Sequence, residues 1–410
     1  MKGKRIVLLT AASLLISSAT LAVADESATL ADALTSGKTG VNVRARYEHV
    51  DQDNISENAD AVTARLRLNY RTGQWSGMTG FVEYDYVFHL LNDFNSGAGT
   101  SPGKGQYPVV ADPKGADLNQ LYLDYTISEK SKARVGRQRI LLDNQRFVGG
   151  VGWRQNEQTY DALTFTTKAL ARTNLSYSYV GSVRRIFGDG ATAPAGKNDV
   201  DTHLLNAKVS INDGWSVTPY YYYIDNKDVA VFSTATLGAR LVGSVAAGEG
   251  KVALVAELAT QRDIANNPVD YDADYAHLSG TWSIANGLSL GLAYELLGGN
   301  AQSGAAFRTP LATLHAFQGW VDKFLATPDG GIVDVFATVK YKAGRWNLTG
   351  VYHDFSSDVG STDYGTEFDV AAATKLDDNY SILFKGAFFS GEPGGIADTS
   401  KFWIMFTANY

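Results

Sequence analysis

The 410-residue sequence contains no cysteine, and proline is scarce at nine residues. The lack of cysteine excludes a disulfide framework and a thiol nucleophile. Beyond the N-terminal region, no continuous apolar run reaches the ~18 residues that a transmembrane helix needs. The chain is therefore neither a disulfide-stapled secreted domain nor a protein that crosses a membrane with apolar helices.

The first 24 residues have the pattern of a secretory signal peptide. This stretch begins with basic residues, continues with an apolar run and ends in the small residues of Ala22-Val23-Ala24. We therefore predict a signal peptide over residues 1–24 and a short periplasmic segment over residues 25–38. An N-terminal membrane anchor is the alternative that this pattern leaves open.

Aromatic residues and glycine are abundant, with 22 Tyr, 18 Phe and 41 Gly, a composition that suits strands and turns. Apolar and polar residues alternate one by one, as in ARLRLNYR over residues 64–71. Such alternation predicts strands with one apolar face and one polar face. The same period recurs in these segments: 41–48, 82–89, 118–128, 173–183, 203–212, 249–261, 275–285, 287–297, 332–342, 345–355, 366–375 and 379–389.

The connections between these segments alternate strictly between short turns and long loops. A soluble sandwich has no reason for this order, whereas outer-membrane barrels have short periplasmic turns and long external loops. We therefore predict an all-β fold, a transmembrane antiparallel β-barrel of about 18 strands over residues 39–410. The count falls to 16 if residues 234–246, where glycines blur the alternation, are not a strand.

The last ten residues, KFWIMFTANY, place apolar side chains at every second position. In lipid every backbone polar group must be paired, so a membrane-spanning sheet has to close on itself. We predict that this segment is the final strand, that it pairs with the first strand near Val41, and that Tyr410 lies in the interfacial aromatic girdle. Its C-terminal aromatic residue resembles the signal by which barrel-assembly machinery recognises outer-membrane proteins.

Short motifs known from enzymes occur in the sequence, but without the secondary structure that their chemistry requires. G-x-S-x-G occurs at residues 99–103 and 287–291, but neither match has the strand–turn–helix setting of a nucleophile elbow. The six histidines show no metal-ligand spacing. We therefore assign no catalytic residue, metal or cofactor, and keep a barrel-embedded hydrolase as a minor alternative.

Arginines occupy polar-face positions of the N-terminal strands and of the loop after the fifth strand. In a closed barrel these positions face the lumen, where guanidinium groups either pair with carboxylates or guide anionic solutes. If Gly136 is a β-bulge, Arg134, Arg137 and Arg139 all point inward, and Val135 and Ile140 both face lipid. The candidate pore-lining residues are Arg44, Arg46, Arg65, Arg67, Arg71, Arg134, Arg137, Arg139, Arg146, Arg154, Glu83, Asp85 and Asp124.

Two long loops, residues 143–158 and 298–331, differ from ordinary external loops. Within the second, PLATLHAFQGWVDKFL over residues 310–325 has apolar residues at helical spacing and begins with a proline. We predict an amphipathic helix there. Since its apolar side chains need a partner, we place it in the barrel lumen or mouth.

Several stretches resemble the alginate-export family of outer-membrane porins. The matching pieces are RARYEHVDQDN (44–54), TARLRLNYRTGQWSG (63–77), VADP with LNQLYLDY (110–113 and 118–125), VGRQRILLDNQRFVGGVGWRQNEQTYDA (135–162) and TPLATLHAFQGWVDKFLATP (309–328). The resemblance implies a monomeric barrel of eighteen strands. The type member of the family exports a polyuronate through an arginine-lined lumen. The resemblance implies the same use for Arg44, Arg46, Arg65, Arg67, Arg134, Arg137 and Arg139.

Together these observations predict a bacterial outer-membrane channel for small hydrophilic, anionic solutes. A dedicated exporter of an anionic polysaccharide such as alginate is the alternative. The expected partners are outer-membrane lipid, lipopolysaccharide, the barrel-assembly machinery and the small-molecule or oligosaccharide solute. No nucleic-acid partner is expected.

Overall fold

The computed structural model describes residues 26–410, so the predicted signal peptide over residues 1–24 lies outside the described residues. The described chain forms eighteen barrel strands in a single antiparallel sheet. They are β1 Lys38–Gln52, β2 Ala59–Arg71, β3 Met78–Asp93, β4 Gly115–Ser128, β5 Ser131–Gln138, β6 Thr159–Thr167, β7 Thr173–Arg184, β8 Lys197–Asn212, β9 Trp215–Asn226, β10 Thr234–Ala247, β11 Gly250–Asp263, β12 Asp272–Ile284, β13 Leu288–Leu297, β14 Ile332–Ala343, β15 Trp346–Ser356, β16 Asp363–Lys375, β17 Tyr380–Ser390 and β18 Thr399–Asn409.

Each strand pairs with its neighbours in sequence, and the last strand pairs with the first. The register of this closing pair runs from Asn42 opposite Asn409 to Gln52 opposite Thr399. Val41 and Tyr410 exchange two backbone hydrogen bonds, of 2.9 Å and 2.8 Å. The predicted closure of the C-terminal strand near Val41 is thus confirmed, and so is the count of eighteen, because residues 234–247 form a strand.

Short turns alternate with long loops around the barrel, as predicted. Two long connections are named here: L3, residues 139–158 between β5 and β6, and L7, residues 298–331 between β13 and β14. L7 contains a small ladder of Gly299–Asn300 with Ala305–Ala306. A 3₁₀ turn, Ala230–Phe232, precedes β10.

A short helix, α1 (Leu30–Thr35), precedes the barrel and is capped by Thr29 and Asp32 in a capping box. It lies at the end of the barrel with the short turns, where the Gly73 backbone N–H donates to the Ala33 carbonyl at 2.8 Å. Within residues 26–410, no helix is both long and apolar enough to cross a membrane.

The two faces of the wall have opposite chemistry. Along β3, Tyr84 and Tyr86 are exposed on the outside, whereas Glu83 and Asp85 between them are buried inside the barrel. The same holds along β18, where Phe402, Ile404 and Phe406 are exposed. Because lipid accepts the apolar face, the sequence places its charges in the lumen.

The predicted bulge at Gly136 is wrong. β5 pairs with β4 and β6 through Gly136 without a register shift. Ile140 does not face lipid: it follows the end of β5 and is buried, while Val135 is exposed. Val135 and Ile140 are an odd number of positions apart, so a regular strand could not point both of them at lipid. No bulge is needed to explain this, because the strand ends at Gln138, before Ile140.

The predicted helix over residues 310–325 is also wrong, although its apolar side chains do pack in the lumen. Leu314, Gln318, Gly319 and Asp322 all have positive φ angles. A right-handed helix cannot contain such residues, so the chain turns repeatedly instead. The regularly spaced apolar side chains instead pack in the lumen separately, each from a different turn of the chain.

The outward face of the closing strand gives the first prediction. Phe406→Asp puts a charge on the lipid face of β18, which is costly in a membrane, though less so for Asp than the ~2–4 kcal/mol of Arg or Lys at mid-depth. We expect less folded, heat-modifiable barrel in the outer membrane. The matched control is Thr407→Asp, on the lumen side opposite Arg44. Equal folded amounts for both variants would contradict the assignment of the two faces.

Candidate functional site in the barrel lumen

L3 and L7 fold into the lumen and contact each other there. The Gly149 N–H donates to the Leu311 carbonyl at 2.8 Å, and the Thr313 N–H donates to the Gln145 carbonyl at 3.1 Å. Both loops also bind inward-facing side chains of the wall. The Val321 N–H, for example, donates to Oε1 of Glu367 on β16 at 2.7 Å. The two loops therefore form one body inside the barrel.

Arginines of β1 and β2 hold L3 by its backbone carbonyls. Nη1 of Arg44 lies 3.0–3.2 Å from three successive carbonyl oxygens, those of residues 152–154. Arg46 donates to the Trp153 carbonyl at 2.7 Å, and Arg65 donates to the Gln155 carbonyl at 3.1 Å. These guanidinium groups thus replace the pairing that the irregular loop backbone lacks.

A second cluster neutralises the arginines further along the wall. Arg67 binds Asp85 through two hydrogen bonds of 2.7 Å and 2.6 Å, and binds Oε1 of Glu157 at 2.8 Å. Arg139 binds both Glu157 and Glu83. Burial alone would raise the pKa of Glu157, but Arg139, Arg67 and Arg65 hold it well below its usual range. Arg67 and Arg139 are therefore fully paired.

A bulge on β4 completes this cluster. The register between β3 and β4 shifts between Glu83 and Tyr84, so that Asn119 and Gln120 are both buried. Both amides donate to Oε1 of Glu83, at 2.8 Å and 3.0 Å. A bulge commonly re-aims a side chain in this way, and the period-two pattern gave no sign of it.

The part of the wall nearest the short turns carries a less buried cluster. Arg134 binds Asp124 through two hydrogen bonds of 2.6 Å and 2.9 Å, and its guanidinium lies 3.8 Å from the centre of the Tyr122 ring. Arg71 donates to the Tyr122 hydroxyl at 2.9 Å. The side chains of Arg71 and Arg134 are 33% and 31% exposed. Two arginines therefore share Asp124 and remain accessible to water.

Arg137 does not join these lumen clusters, contrary to the prediction that it points inward. It lies opposite the outward-facing Leu121 in the β4 register, and such cross-strand partners share a face. Its guanidinium binds Asp161 at 2.8 Å. The inward placement depended on the bulge at Gly136, which is absent from the pairing of β5.

The arginines of L3 reach different parts of the wall. Arg146 binds Glu295 on β13 at 2.9 Å. Arg154 binds Glu48 on β1 and Asp322 of L7, each at 3.0 Å. L3 is therefore held at two well-separated strands, and Arg154 links L3 to both L7 and the wall.

Asp322 and His315 form a buried pair within L7. Nδ1 of His315 lies 2.7 Å from Oδ1 of Asp322. Burial, together with the nearby positive charge of Lys385, lowers the pKa of His315 to about 3. Burial alone would raise the pKa of Asp322, but His315, Lys401 and Arg154 keep it well below its usual range. The docked loop thus holds a neutral imidazole that donates to a carboxylate.

The family model for alginate export matches residues 37–296. The chain belongs to the alginate export family. This membership places the protein in the outer membrane of a bacterium. No curated protein sequence is significantly similar to the chain.

Solved outer-membrane porins share the barrel of this alginate-export family member. OccK9 (OpdG) of Pseudomonas aeruginosa superposes with a TM-score of 0.71 at 14% identity, covering 92% of this chain and 100% of that one. OpdK of the same organism, solved with vanillate, gives 0.69 at 12% identity, covering 92% and 99%. OccAB4 of Acinetobacter baumannii gives 0.68 at 12% identity, covering 91% and 98%. At these identities the likeness establishes the fold, an eighteen-stranded antiparallel barrel.

The structural neighbours of this family member are channels and not enzymes. Within residues 26–410, no group of three or more His, Asp or Glu side chains is arranged to hold a metal ion.

Sequence reasoning missed the partners that L3 and L7 use. Asp112 and Glu157 lie within the family motifs, but their pairing with Arg46 and Arg67 links distant segments. Lys385 on β17 could have been noticed, because it interrupts an otherwise apolar strand. Its partner, His315 in L7, lies 70 residues away in sequence, and no local pattern connects the two.

The buried His315 gives the second prediction, a loosening of L7 in acid. A released His315 would titrate near its ordinary value of 6.5, whereas the docked residue has a pKa of about 3. Since the released loop binds the proton more readily, docking weakens by up to about tenfold per pH unit as pH falls below 6.5. The lowered pKa of Asp322 also makes docking of L7 weaker as the pH falls, but only in stronger acid.

We therefore expect single-channel conductance in planar bilayers to rise as the pH is lowered from 7 toward 4. His315→Gln keeps an amide donor for Asp322 but cannot titrate in this range, so its conductance should change much less. A variant response identical to that of the wild type would mean that His315 does not control the docking of L7.

Proposed function

We propose that this outer-membrane channel passes small hydrophilic anions, with carboxylates engaging Arg71 and Arg134. The observation that carries the proposal is that these two partly exposed arginines share one carboxylate, Asp124. A shared carboxylate leaves positive charge available to a solute. Arginine suits this task because its planar guanidinium binds carboxylates in a bidentate manner.

Arg44 supports the same charge preference. Its guanidinium binds only backbone carbonyls of L3 among the hydrogen-bond acceptors of the described residues, so no carboxylate neutralises it. Selectivity in a channel follows the charges near the narrow point and not the net charge of the chain. The formal net charge of −7 therefore does not oppose an anion preference.

The test uses the shared carboxylate. Asp124→Asn frees both arginines, and we expect roughly a several-fold rise in the anion-to-cation permeability ratio, with stronger block by small aromatic carboxylates. Arg134→Gln should shift the ratio toward cations. The matched control is Lys340→Gln, because Lys340 is an inward-facing cation on β14, in the opposite wall. This change should shift the permeability ratio less. A cation-selective wild-type channel would contradict the proposal.

Vanillate, the ligand named for the OpdK structure, is a suitable first probe because it is a small aromatic carboxylate. Membership of the alginate export family favours a second candidate, the export of an anionic polysaccharide. Uronate oligomers that block from the periplasmic side, more strongly than vanillate does, would favour export over a general anion channel.

The hydrolase alternative would need a complete catalytic triad. In the described strands, Nε2 of His277 lies 3.1 Å from Oγ of Ser279. Among the residues described, however, Nδ1 of His277 has no hydrogen-bond partner, whereas a triad requires an acid there. We therefore do not assign an enzymatic activity to the barrel.

The remaining assignments belong to the same proposal. We infer a signal peptide over residues 1–24 from its basic start, apolar run and small-residue end. We also infer a periplasmic segment over residues 25–38, supported by the contact of α1 with a short turn. The exposed aromatic and apolar side chains of β18 favour recognition by the barrel-assembly machinery and contact with lipid and lipopolysaccharide. The family resemblance favours a monomer.

A further inference from the structure

Lys385 on β17 points into the lumen and is almost completely buried, at 7% exposure. Its Nζ lies 4.3 Å from the ring centre of Trp153, 3.8 Å from that of Trp320 and 5.3 Å from that of Trp403. These three tryptophans come from L3, L7 and β18. One ammonium group is thus enclosed by three separate parts of the protein.

The Lys385 ammonium has no counter-ion in contact. Nζ lies 2.7 Å from Nε2 of His315, to which it donates, and no carboxylate of residues 26–410 forms an ion pair with it. The neighbouring cations Lys401 and Arg154 instead bind Asp322, at 3.4 Å and 3.0 Å. The π faces and one imidazole nitrogen therefore stabilise the charge, as in the aromatic cages that bind ammonium ligands.

The cage also determines how L3 and L7 meet. The rings of Trp153 and His315 stack at 4.5 Å between centres, with an interplanar angle of 10°. Trp403 lies edge-on to both, at 5.8 Å and 5.9 Å. Removing the cation would leave the polar Nε2 of His315 buried among aromatic rings without a donor, which is unfavourable.

We propose that Trp153, Trp320 and Trp403 form an ammonium-binding site, filled by the chain's own Lys385, that latches L3 and L7 to the wall as one unit. The latch concerns loop position and goes beyond the proposed anion preference. The chemical class that the cage accepts is a primary alkylammonium, because Lys385 presents one.

The side-chain chemistry supplies a direct test. Lys385→Ala removes three methylene groups and the ammonium, which together correspond to n-propylammonium. The lower-conductance level with L3 and L7 docked is called closed, and the higher-conductance level with them released is called open. We expect the open probability of the variant to rise on the order of tenfold, as expected for the loss of a desolvated cation–π contact. Millimolar n-propylammonium should restore the closed level, and the equally long neutral n-propanol should not.

Two further variants keep the test decisive. Lys385→Met keeps most of the length and the apolar volume of lysine without its charge, so it should open like Lys385→Ala and should not respond to n-propylammonium. Lys340→Ala, which removes a lumen lysine on β14, three strands away from Lys385 and outside the aromatic cage, should neither open the channel nor respond to the amine. Heat-modifiable migration verifies that each barrel is folded.

A Lys385→Met channel as closed as the wild type would overturn the proposal, since packing alone would then hold the loops. An opened Lys385→Ala channel that n-propylammonium cannot close would overturn the assignment of the cage as an ammonium site. If Lys385→Ala does not fold, Lys385→Met still decides whether the charge of Lys385 holds the loops. Reversal potentials test the anion preference separately from the latch. A wild-type channel that prefers cations, but in which Lys385 still holds the loops, would contradict only the anion preference.

Discussion

The structure depends on one constraint, the pairing of every backbone polar group that enters the hydrocarbon of the membrane. β1 and β18 meet this constraint by closing the sheet, and Val41 and Tyr410 exchange backbone hydrogen bonds at the seam. Closure assigns one face of every strand to lipid and the other to the lumen. The charges of the alternating strands therefore have to be accommodated inside the barrel.

Inside the lumen, each buried charge needs a partner, and leaving one ion of a buried pair uncompensated costs about 3–5 kcal/mol. Carboxylates of the wall satisfy part of this need, as Asp85 does for Arg67. L3 supplies the rest, with its backbone carbonyls for Arg44 and with Glu157 for Arg67. L3 is thus bound to the wall through arginines of β1 and β2, among them Arg44 and Arg67.

The strands and their closure could be predicted from the sequence, because alternation is a local signal and lipid enforces it. The lumen could not. Arg67 and Glu157 are separated by 90 residues, so no local pattern reveals their contact. The helix predicted over residues 310–325 failed because apolar residues three or four apart also suit successive turns, each packing into its own part of the lumen. The bulge was predicted at Gly136 on the assumption that Val135 and Ile140 lie in one strand. The odd or even positions of apolar residues do not show where a strand ends, and β5 ends at Gln138.

Thiol accessibility tests most directly the central claim, that L7 is packed inside the barrel. The natural chain has no cysteine, so a single introduced thiol reports without background. Val321 is 2% exposed and Leu325 is 46% exposed, although the two residues lie close together in the sequence of L7. The account predicts that a water-soluble maleimide labels Leu325→Cys rapidly and Val321→Cys only after denaturation. Equal, rapid labelling of both positions in the folded barrel would contradict it.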